Sequence, residues 1–286
     1  MHPAAFSYLA PRSVDEAIAM LGEHPGARVL AGGQSLLSLM KLRLAAPEWL
    51  VDLGGVPGID AISSQGGTVR IGAMATHAAA AASPQVRSGA TALADAAAVV
   101  GDPLVRNRGT VGGSAAHADP VGDEPGALLA LDARFTLRGS SGERVLAADE
   151  FFRDAFTTAL AAGEVLTEIA VPAASEGEAS AYLKIGRRGG QRDYPVAGAA
   201  AWLRLDGDTV SNCRIALTGA ALSTTRLPAA EQALMGGSAD PSLLEAVDVT
   251  EGVTVVGDLY GSAGYKAHLS GVIVRRAVQR AVQRIS

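Results

Sequence analysis

Cysteine and histidine are scarce in this chain of 286 residues. The only cysteine is Cys213, and one thiol forms neither an intrachain disulfide nor an iron–sulfur cluster held by cysteines of this chain alone. The five histidines are scattered and show no metal-ligand spacing such as HExxH. The sequence therefore predicts no metal site and no redox centre built from its own cysteines.

Long apolar runs and an excess of positive charge are also missing. No tract of about 18 apolar residues is present, so no membrane span is expected. The N-terminus lacks a charged start followed by an apolar core, which argues against a signal peptide. A net charge of −5 and a pI near 5.6 give no general attraction to nucleic acid or to anionic membranes. We expect a cytoplasmic protein without a nucleic-acid partner.

The composition is that of a folded protein, with 48% hydrophobic and 19% charged residues. The length suits two or three small domains, and changes in pattern place them at residues 1–57, 58–177 and 178–286. In the first unit, Ser13 and Glu16 form a capping box before a helix, strands are predicted at residues 28–31 and 49–53, and Ser35 is a candidate N-cap. The pattern predicts a small α/β unit.

The two later units mix helices with strands. The middle unit has strand patterns at residues 68–73, 134–138, 144–146 and 165–171, with helices after Thr76 and at residues 90–100. The third unit predicts three strands of a meander, at residues 180–185, 196–205 and 209–218, followed by helices at residues 228–235, 241–246 and 263–285. The predicted fold class is α+β: a small N-terminal α/β unit, a larger mixed middle domain, and a C-terminal antiparallel sheet with helices.

Two glycine-rich turns are the most informative local features. They are AGGQS at residues 31–35 and TVGGS at residues 110–114. Such turns offer successive backbone N–H groups without obstructing side chains, and two converging turns would suit a diphosphate. Either turn alone is weak evidence, because Gly-Gly pairs at strand ends are mostly ordinary turns, and neither matches GxGxxG or GxxxxGK[ST]. Their joint presence supports a dinucleotide-binding hypothesis.

A polar segment with Pro and Gly follows the second turn. Asp123 could accept hydrogen bonds from sugar-like hydroxyls, and His117 or Asp119 could line the same groove. The alternative is that Asp119 and Asp123 are turn and N-cap residues, which their Pro neighbours favour. The Asp–His combination is not accompanied by a serine nucleophile elbow, so no catalytic residue is predicted.

The sequence resembles the FAD-binding medium subunit of molybdenum hydroxylases. The resemblance rests on AGGQSL at residues 31–36 and RNRGTVGGSAA at residues 106–116, supported by VDL at 51–53, IGA at 71–73, DPVGD at 119–123 and the segment 184–193. Carbon monoxide dehydrogenase medium subunits and the flavin domain of xanthine dehydrogenase belong to this family. Two motifs about 75 residues apart, in the family's order, are far more specific than either alone. Relatives often carry asparagine where this chain has Ser114.

The resemblance implies non-covalently bound FAD and assigns roles to individual residues. The two glycine-rich segments would cradle the diphosphate, Asp123 would bind the ribityl or neighbouring hydroxyls, Lys184 would stabilise negative charge on the reduced ring, and Tyr194 would stack near the ring face. The expected cofactor-binding residues are Ala31, Gly32, Gly33, Gln34, Ser35, Leu36, Thr110, Val111, Gly112, Gly113, Ser114, His117, Asp119, Asp123, Lys184 and Tyr194.

The resemblance also implies partner chains. The [2Fe–2S] clusters would lie on a small iron–sulfur subunit and the molybdopterin on a large molybdenum subunit, in a dimer of heterotrimers, with peripheral contact to an external electron acceptor. Two alternatives stay open at this point. One is a free-standing FAD-dependent oxidoreductase of small molecules, and the other is a non-catalytic scaffold whose glycine pairs are only turns.

Overall fold

The first part of the chain folds into a small three-stranded parallel sheet, in which the third strand along the chain lies between the first two. The structure is a computed structural model that describes residues 2–188 and 193–285. The elements of this unit are β1 (Ser7–Leu9), α1 (Val14–Glu23), β2 (Arg28–Leu30), α2 (Leu36–Lys41) and β3 (Trp49–Asp52), followed by a 3₁₀ turn at Leu53–Gly55. Helix α1 buries Val14, Ala17 and Leu21, which are spaced three and four residues apart and so lie on one face. The predicted α/β unit is confirmed.

Helix α1 begins with only half of the predicted capping box. The Ser13 hydroxyl accepts the N–H of Glu16 at 3.1 Å, as expected. The Glu16 carboxylate accepts the N–H of Arg12 at 2.7 Å rather than the N–H of Ser13. The cap therefore holds the residue before Ser13 as well, and fixes the entry of the chain into the helix.

The middle part forms a five-stranded antiparallel sheet. Its last strand along the chain, Val165–Pro172, lies at the centre, with the first two strands on one side and the next two on the other. Its first strands and helices are β4 (Ile62–Gln65), β5 (Thr68–Gly72), α3 (His77–Ala82), α4 (Pro84–Gly89), α5 (Thr91–Val99), α6 (Pro103–Arg106), α7 (Val111–His117) and α8 (Asp123–Ala130). They are followed by β6 (Arg134–Gly139), β7 (Gly142–Ala147), α9 (Ala148–Phe151), β8 (Phe152–Asp154), β9 (Thr157–Thr158) and β10 (Val165–Pro172). The helices and the sheet enclose one apolar core rich in alanine.

The C-terminal sheet has four strands, not the three predicted. Its strands are β11 (Glu178–Gly186), β12 (Pro195–Asp206), β13 (Thr209–Thr218) and β14 (Thr225–Arg226), all antiparallel. Strand β14 has two residues, too few to show an alternating pattern. Helices α10 (Pro228–Leu234) and α11 (Ala263–Ile285) follow, with a 3₁₀ turn at Pro241–Leu244 between them. The α+β fold class is confirmed.

Helix α11 ties the C-terminal sheet to the middle unit. Its apolar face packs against β11 and β12, and buries Ile273, Val274, Ala277, Val278 and Ala281. Near its end the Arg284 guanidinium donates to both carboxylate oxygens of Asp95 in α5, at 2.6 and 2.9 Å, and to the carbonyl of Ser180 at 2.7 Å. This contact holds the two units in a fixed arrangement around the residues described next.

Candidate functional site

The loop at residues 31–35 connects β2 to α2 and leaves its main-chain donors free. Gly33 has a φ of +73°, in the left-handed region that favours glycine. Its carbonyl accepts the N–H of Leu37 at 3.0 Å, and the chain turns there into α2. Within the described part of the chain, the N–H groups of residues 32–35 donate no hydrogen bond. Such a row of unpaired donors is the arrangement that binds anions.

Ser35 lies at the N-cap position of α2, as predicted, but its side chain does not cap the helix. Ser35 precedes Leu36, the first residue of α2, but its backbone is already helical and its hydroxyl makes no capping hydrogen bond. The Gln34 side chain instead turns back to the carbonyl of Gly32 at 3.4 Å. Gln34 and Ser35 are both exposed, so their polar groups face away from the core.

The second glycine-rich segment is the start of helix α7 rather than an open turn. The Thr110 hydroxyl accepts the N–H of Gly113 at 3.0 Å. The N–H groups of Val111 and Gly112 donate to carbonyls of the segment that follows β5, those of Ala75 at 2.9 Å and Ala73 at 3.0 Å. These donors are already used inside the protein, so the expectation that both segments offer free N–H groups is wrong for the second one.

Glycine is required at residue 112 by close packing. An ideal Cβ on Gly112 would lie 2.5 Å from both the Cβ and the carbonyl oxygen of Ala73. A larger residue at position 112 would displace the segment that follows β5. Gly112 is therefore buried against that segment, and Ser114, two residues further on, is half-buried.

The two glycine-rich segments meet. An ideal Cβ on Gly32 would lie 2.1 Å from the carbonyl oxygen of Arg108 and 2.5 Å from the Cα of Gly109. An ideal Cβ on Gly113 would lie 3.5 Å from the Cβ of Ala31. Segments that are about 75 residues apart in sequence thus approach with their main chains almost in contact. The contact brings residues 31–32 beside residues 108–109 and Gly113, and the unpaired donors of residues 32–35 lie on the same loop.

His117 is the last residue of α7, and Asp119 lies just beyond the helix. The His117 ring packs against Phe156, with 5.2 Å between ring centroids, and its Nε2 is 4.0 Å from the Asp119 carboxylate. The other Asp119 oxygen accepts the N–H of Val121 at 3.0 Å. This is the turn geometry that the proline neighbours favour for an aspartate. Besides partial burial, the Asp119 carboxylate also raises the pKa of the Tyr194 phenol.

Tyr194, assigned to the flavin ring by the resemblance, is half exposed. Partial burial raises the pKa of its phenol, and the Asp119 carboxylate adds to that effect. The grouping of Tyr194 with His117 and Asp119 in one site stays a prediction. The segment 184–193, used in the family resemblance, includes residues 189–192, which lie outside the described residues.

Asp123 and Lys184 form a buried ion pair. The Lys184 ammonium donates to one carboxylate oxygen at 2.6 Å and to the carbonyl of Val99 at 3.1 Å, and the Tyr182 hydroxyl donates to the other carboxylate oxygen at 2.6 Å. Asp123 and Lys184 are 6% and 3% exposed. Burial raises the pKa of Asp123 to about 6, against the effect of Lys184, so the carboxyl is mostly ionised at pH 7. Asp123 and Lys184, which the resemblance assigns to ligand contacts, are thus hydrogen-bonded to each other within the protein.

The sequence analysis missed a second buried pair, His77 with Glu124. The His77 Nδ1 is 2.8 Å from Glu124 Oε1, and the pair is almost completely buried. Burial alone would lower the pKa of His77, but the charge and the hydrogen bond of Glu124 outweigh it and raise the pKa. The main-chain N–H of His77 also donates to the carbonyl of Gly109 at 3.0 Å. His77 therefore stands directly behind the second segment.

No sequence spacing signals this pair, because His77 in α3 and Glu124 in α8 are 47 positions apart. An isolated histidine in an alanine-rich helix is typical of a polar core residue, which is what His77 is. Among the described residues, no group of three or more His, Cys, Asp or Glu side chains is placed to hold a metal ion. Over the same residues, no helix combines the length and the apolar character needed to cross a membrane.

Comparison with known proteins covers nearly the whole chain. Residues 4–174 match a family described as the FAD binding domain in molybdopterin dehydrogenase, and residues 180–281 match the CO dehydrogenase flavoprotein C-terminal domain. The chain is 42% identical to the carbon monoxide dehydrogenase medium chain of Hydrogenophaga pseudoflava over 98% of each chain. It is 36% identical to the nicotine 6-hydroxylase medium subunit of Paenarthrobacter nicotinovorans over 97% of each. A solved structure of the Hydrogenophaga pseudoflava dehydrogenase superposes with a TM-score of 0.94 and covers 100% of both chains.

Proposed function

Because the chain belongs to the family of FAD-binding medium subunits of molybdenum hydroxylases, of the carbon monoxide dehydrogenase type, we propose that it holds FAD without a covalent link and passes electrons within a larger complex. The electrons come from [2Fe–2S] clusters on a small partner subunit, and the molybdenum cofactor is held by a large one. An external acceptor receives them. We place this complex, a dimer of heterotrimers, in the cytoplasm.

The observation that carries the proposal is the contact between the two glycine-rich segments. The unpaired N–H groups of residues 32–35 belong to a loop whose main chain contacts that of residues 108–109 at Gly32 and approaches Gly113 at Ala31. A diphosphate needs several donors from one direction and close approach from another, so the residues present fit this part of FAD. The hydroxyls of Ser35 and Ser114 are the side-chain groups available beside it. The binding of the FAD diphosphate by the two glycine-rich segments stays a prediction.

The residues assigned to the flavin ring fit in a modified way. When bound, FAD supplies a redox centre that takes up and releases electrons one or two at a time. Tyr194 is half exposed and free to stack against the ring. The Lys184 charge is shared with Asp123, so Lys184 acts mainly by holding Asp123 in place. Asp123 keeps unused lone pairs on both oxygens, through which it can still accept a ligand hydroxyl.

The proposal is tested on the full purified chain by its flavin content. We expect a yellow protein with a flavin absorption spectrum that releases intact FAD on heating. The Gly33→Val variant is expected to lose the flavin, because it places a branched side chain at a φ of +73°. The matched control is Gly26→Val, whose φ is +87° and whose ideal Cβ meets no atom within 4 Å. Full flavin occupancy in Gly33→Val would contradict the assigned cradle.

The partners are tested by mass spectrometry of the native complex. We expect the chain to co-purify with one chain that carries iron and sulfide and another that carries molybdenum. The competing function, a free-standing flavoenzyme, predicts that the chain alone oxidises a small molecule at a useful rate. That result, with no partner recovered, would overturn the proposed place in a complex and leave the FAD assignment intact.

A further inference from the structure

The Arg187 guanidinium contacts two tyrosine rings, those of Tyr194 and Tyr260. Its guanidinium carbon is 4.9 Å from the ring centroid of Tyr194 and 4.2 Å from that of Tyr260. Both distances fall within the range in which a cation is attracted to an aromatic face. The N–H of Arg187 also donates to the carbonyl of Tyr194 at 3.1 Å. Arg187 and Tyr194 are thus joined by main chain and side chain, and Tyr260 covers the other side of the cation.

Tyr260 lies in a tight turn that is stabilised by hydrogen bonds of Asp258. Asp258 and Gly261 exchange main-chain hydrogen bonds at 2.9 and 3.3 Å, and the N–H of Tyr260 donates to the Asp258 carboxylate at 2.8 Å. The other oxygen of that carboxylate accepts from the ammonium of Lys266, in the first turns of α11, at 2.8 Å. The turn is therefore fixed at both ends although it lies on the surface.

Lys266 connects this turn to the polar segment of the site. It is only 2% exposed, and its ammonium also donates to the carbonyl of Gly219 at 3.1 Å. The N–H of Gly219 in turn donates to the carbonyl of Pro120 at 2.8 Å. Burying an ammonium is costly unless it is paired and hydrogen-bonded, as it is here. The result is a continuous set of polar contacts from Pro120, next to Asp119, to Tyr260.

We propose that Tyr260 is a positioning residue for the flavin site, which acts through Arg187 to hold the Tyr194 ring in place. This inference rests on the proposed function, since it takes Tyr194 to be the residue that stacks near the flavin ring. A half-exposed tyrosine on a hairpin would otherwise adopt several side-chain rotamers. The Arg187 cation, fixed by a second ring on a rigid turn, selects one of them.

The test measures the flavin fluorescence of the full chain loaded with FAD, after free FAD has been removed, and the rate at which FAD is released. A tyrosine ring stacked on a flavin quenches its fluorescence by electron transfer, so a displaced ring gives brighter bound flavin. For Tyr260→Ala we expect increased fluorescence per bound flavin and roughly two- to five-fold faster release, the factor that an exposed cation–π contact provides. Tyr260→Phe keeps the aromatic face and is expected to behave as wild type.

Two further variants separate positioning from a general effect on the turn. Leu259→Ala removes a side chain that is 98% exposed from the same turn, and we expect no change. Arg187→Gln is expected to reproduce Tyr260→Ala, and the double variant to add little, because both act through one contact. If Tyr260→Ala cannot be distinguished from Leu259→Ala while the wild type binds FAD, the inference is overturned and the proposed function stands. A wild type that binds no FAD overturns both.

Discussion

Gly32→Ala tests the contact between the two glycine-rich segments most directly. The added Cβ would lie 2.1 Å from the carbonyl oxygen of Arg108 and 2.5 Å from the Cα of Gly109. Both are main-chain atoms that cannot rotate away, so the segments would have to separate by more than an ångström. Overpacking of this kind costs about 1 to 3 kcal/mol. If that cost falls on the site, the affinity for FAD drops by roughly 5- to 150-fold.

The assay is a titration of FAD into flavin-free chain, followed by absorption, with thermal unfolding measured on the same samples. Gly22→Ala is the matched control, because Gly22 lies in α1 of the same unit, and an ideal Cβ there meets no atom within 4 Å. Alanine inside a helix is favoured over glycine by about 0.5 to 1 kcal/mol, so the control is expected to be neutral or slightly stabilising. A Gly32→Ala chain with wild-type affinity and melting temperature would refute the close contact.

Three further predictions concern the groups around these segments. Thr110→Val removes the hydroxyl that caps α7 and is expected to cost about 1 kcal/mol of stability in thermal unfolding, which Thr110→Ser should restore. Lys184→Met leaves the Asp123 charge buried without a cation, so urea unfolding should show a loss of about 3 to 5 kcal/mol, partly recovered when Asp123→Asn is added; a single variant as stable as wild type would contradict the ion pair. The raised pKa of His77 means that its contribution is complete below about pH 6.5 and is lost as the pH rises through the folded-state pKa, so the free energy of unfolding should decline over that range, less steeply in His77→Gln.

Elements with a sustained pattern could be predicted from the sequence with near-correct bounds. Helix α11 was expected at residues 263–285 and spans Ala263–Ile285, because its apolar residues recur at helical spacing over six turns. The hairpin of β12 and β13 was expected from alternating apolar residues on both sides of Asp206-Gly207-Asp208. These features are local, and each repeats its signal several times.

Short elements and long-range pairs gave no comparable signal. Strands β1 and β4 were not predicted, because three or four residues do not establish an alternation. The two glycine-rich segments were expected in one site. Only the structure reveals that the N–H groups of Val111 and Gly112 donate to carbonyls of the segment that follows β5. That outcome depends on which strand the segment lies against, and local sequence does not carry this information.

The same limit applies to the charged residues of the site. The family resemblance directed Asp123 and Lys184 toward a ligand, whereas the structure pairs them with each other across 61 positions of sequence. A carboxylate beside Pro and Gly is equally compatible with a turn, a cap, a ligand contact or a buried ion pair. Burial decides between these possibilities, and burial is a property of the assembled fold.

Adjacent carboxylates in the first turn of α8 bind the folding of separate regions together. Asp123 finds its counter-charge on β11, and Glu124 finds its partner on α3, so neither acid can leave water at low cost until both of those elements have docked. A fragment that ends before residue 178 would retain the partner of Glu124 but would lack the counter-charge of Asp123. The FAD-binding half and the C-terminal half, although separate in sequence, are therefore expected to melt as a single cooperative unit.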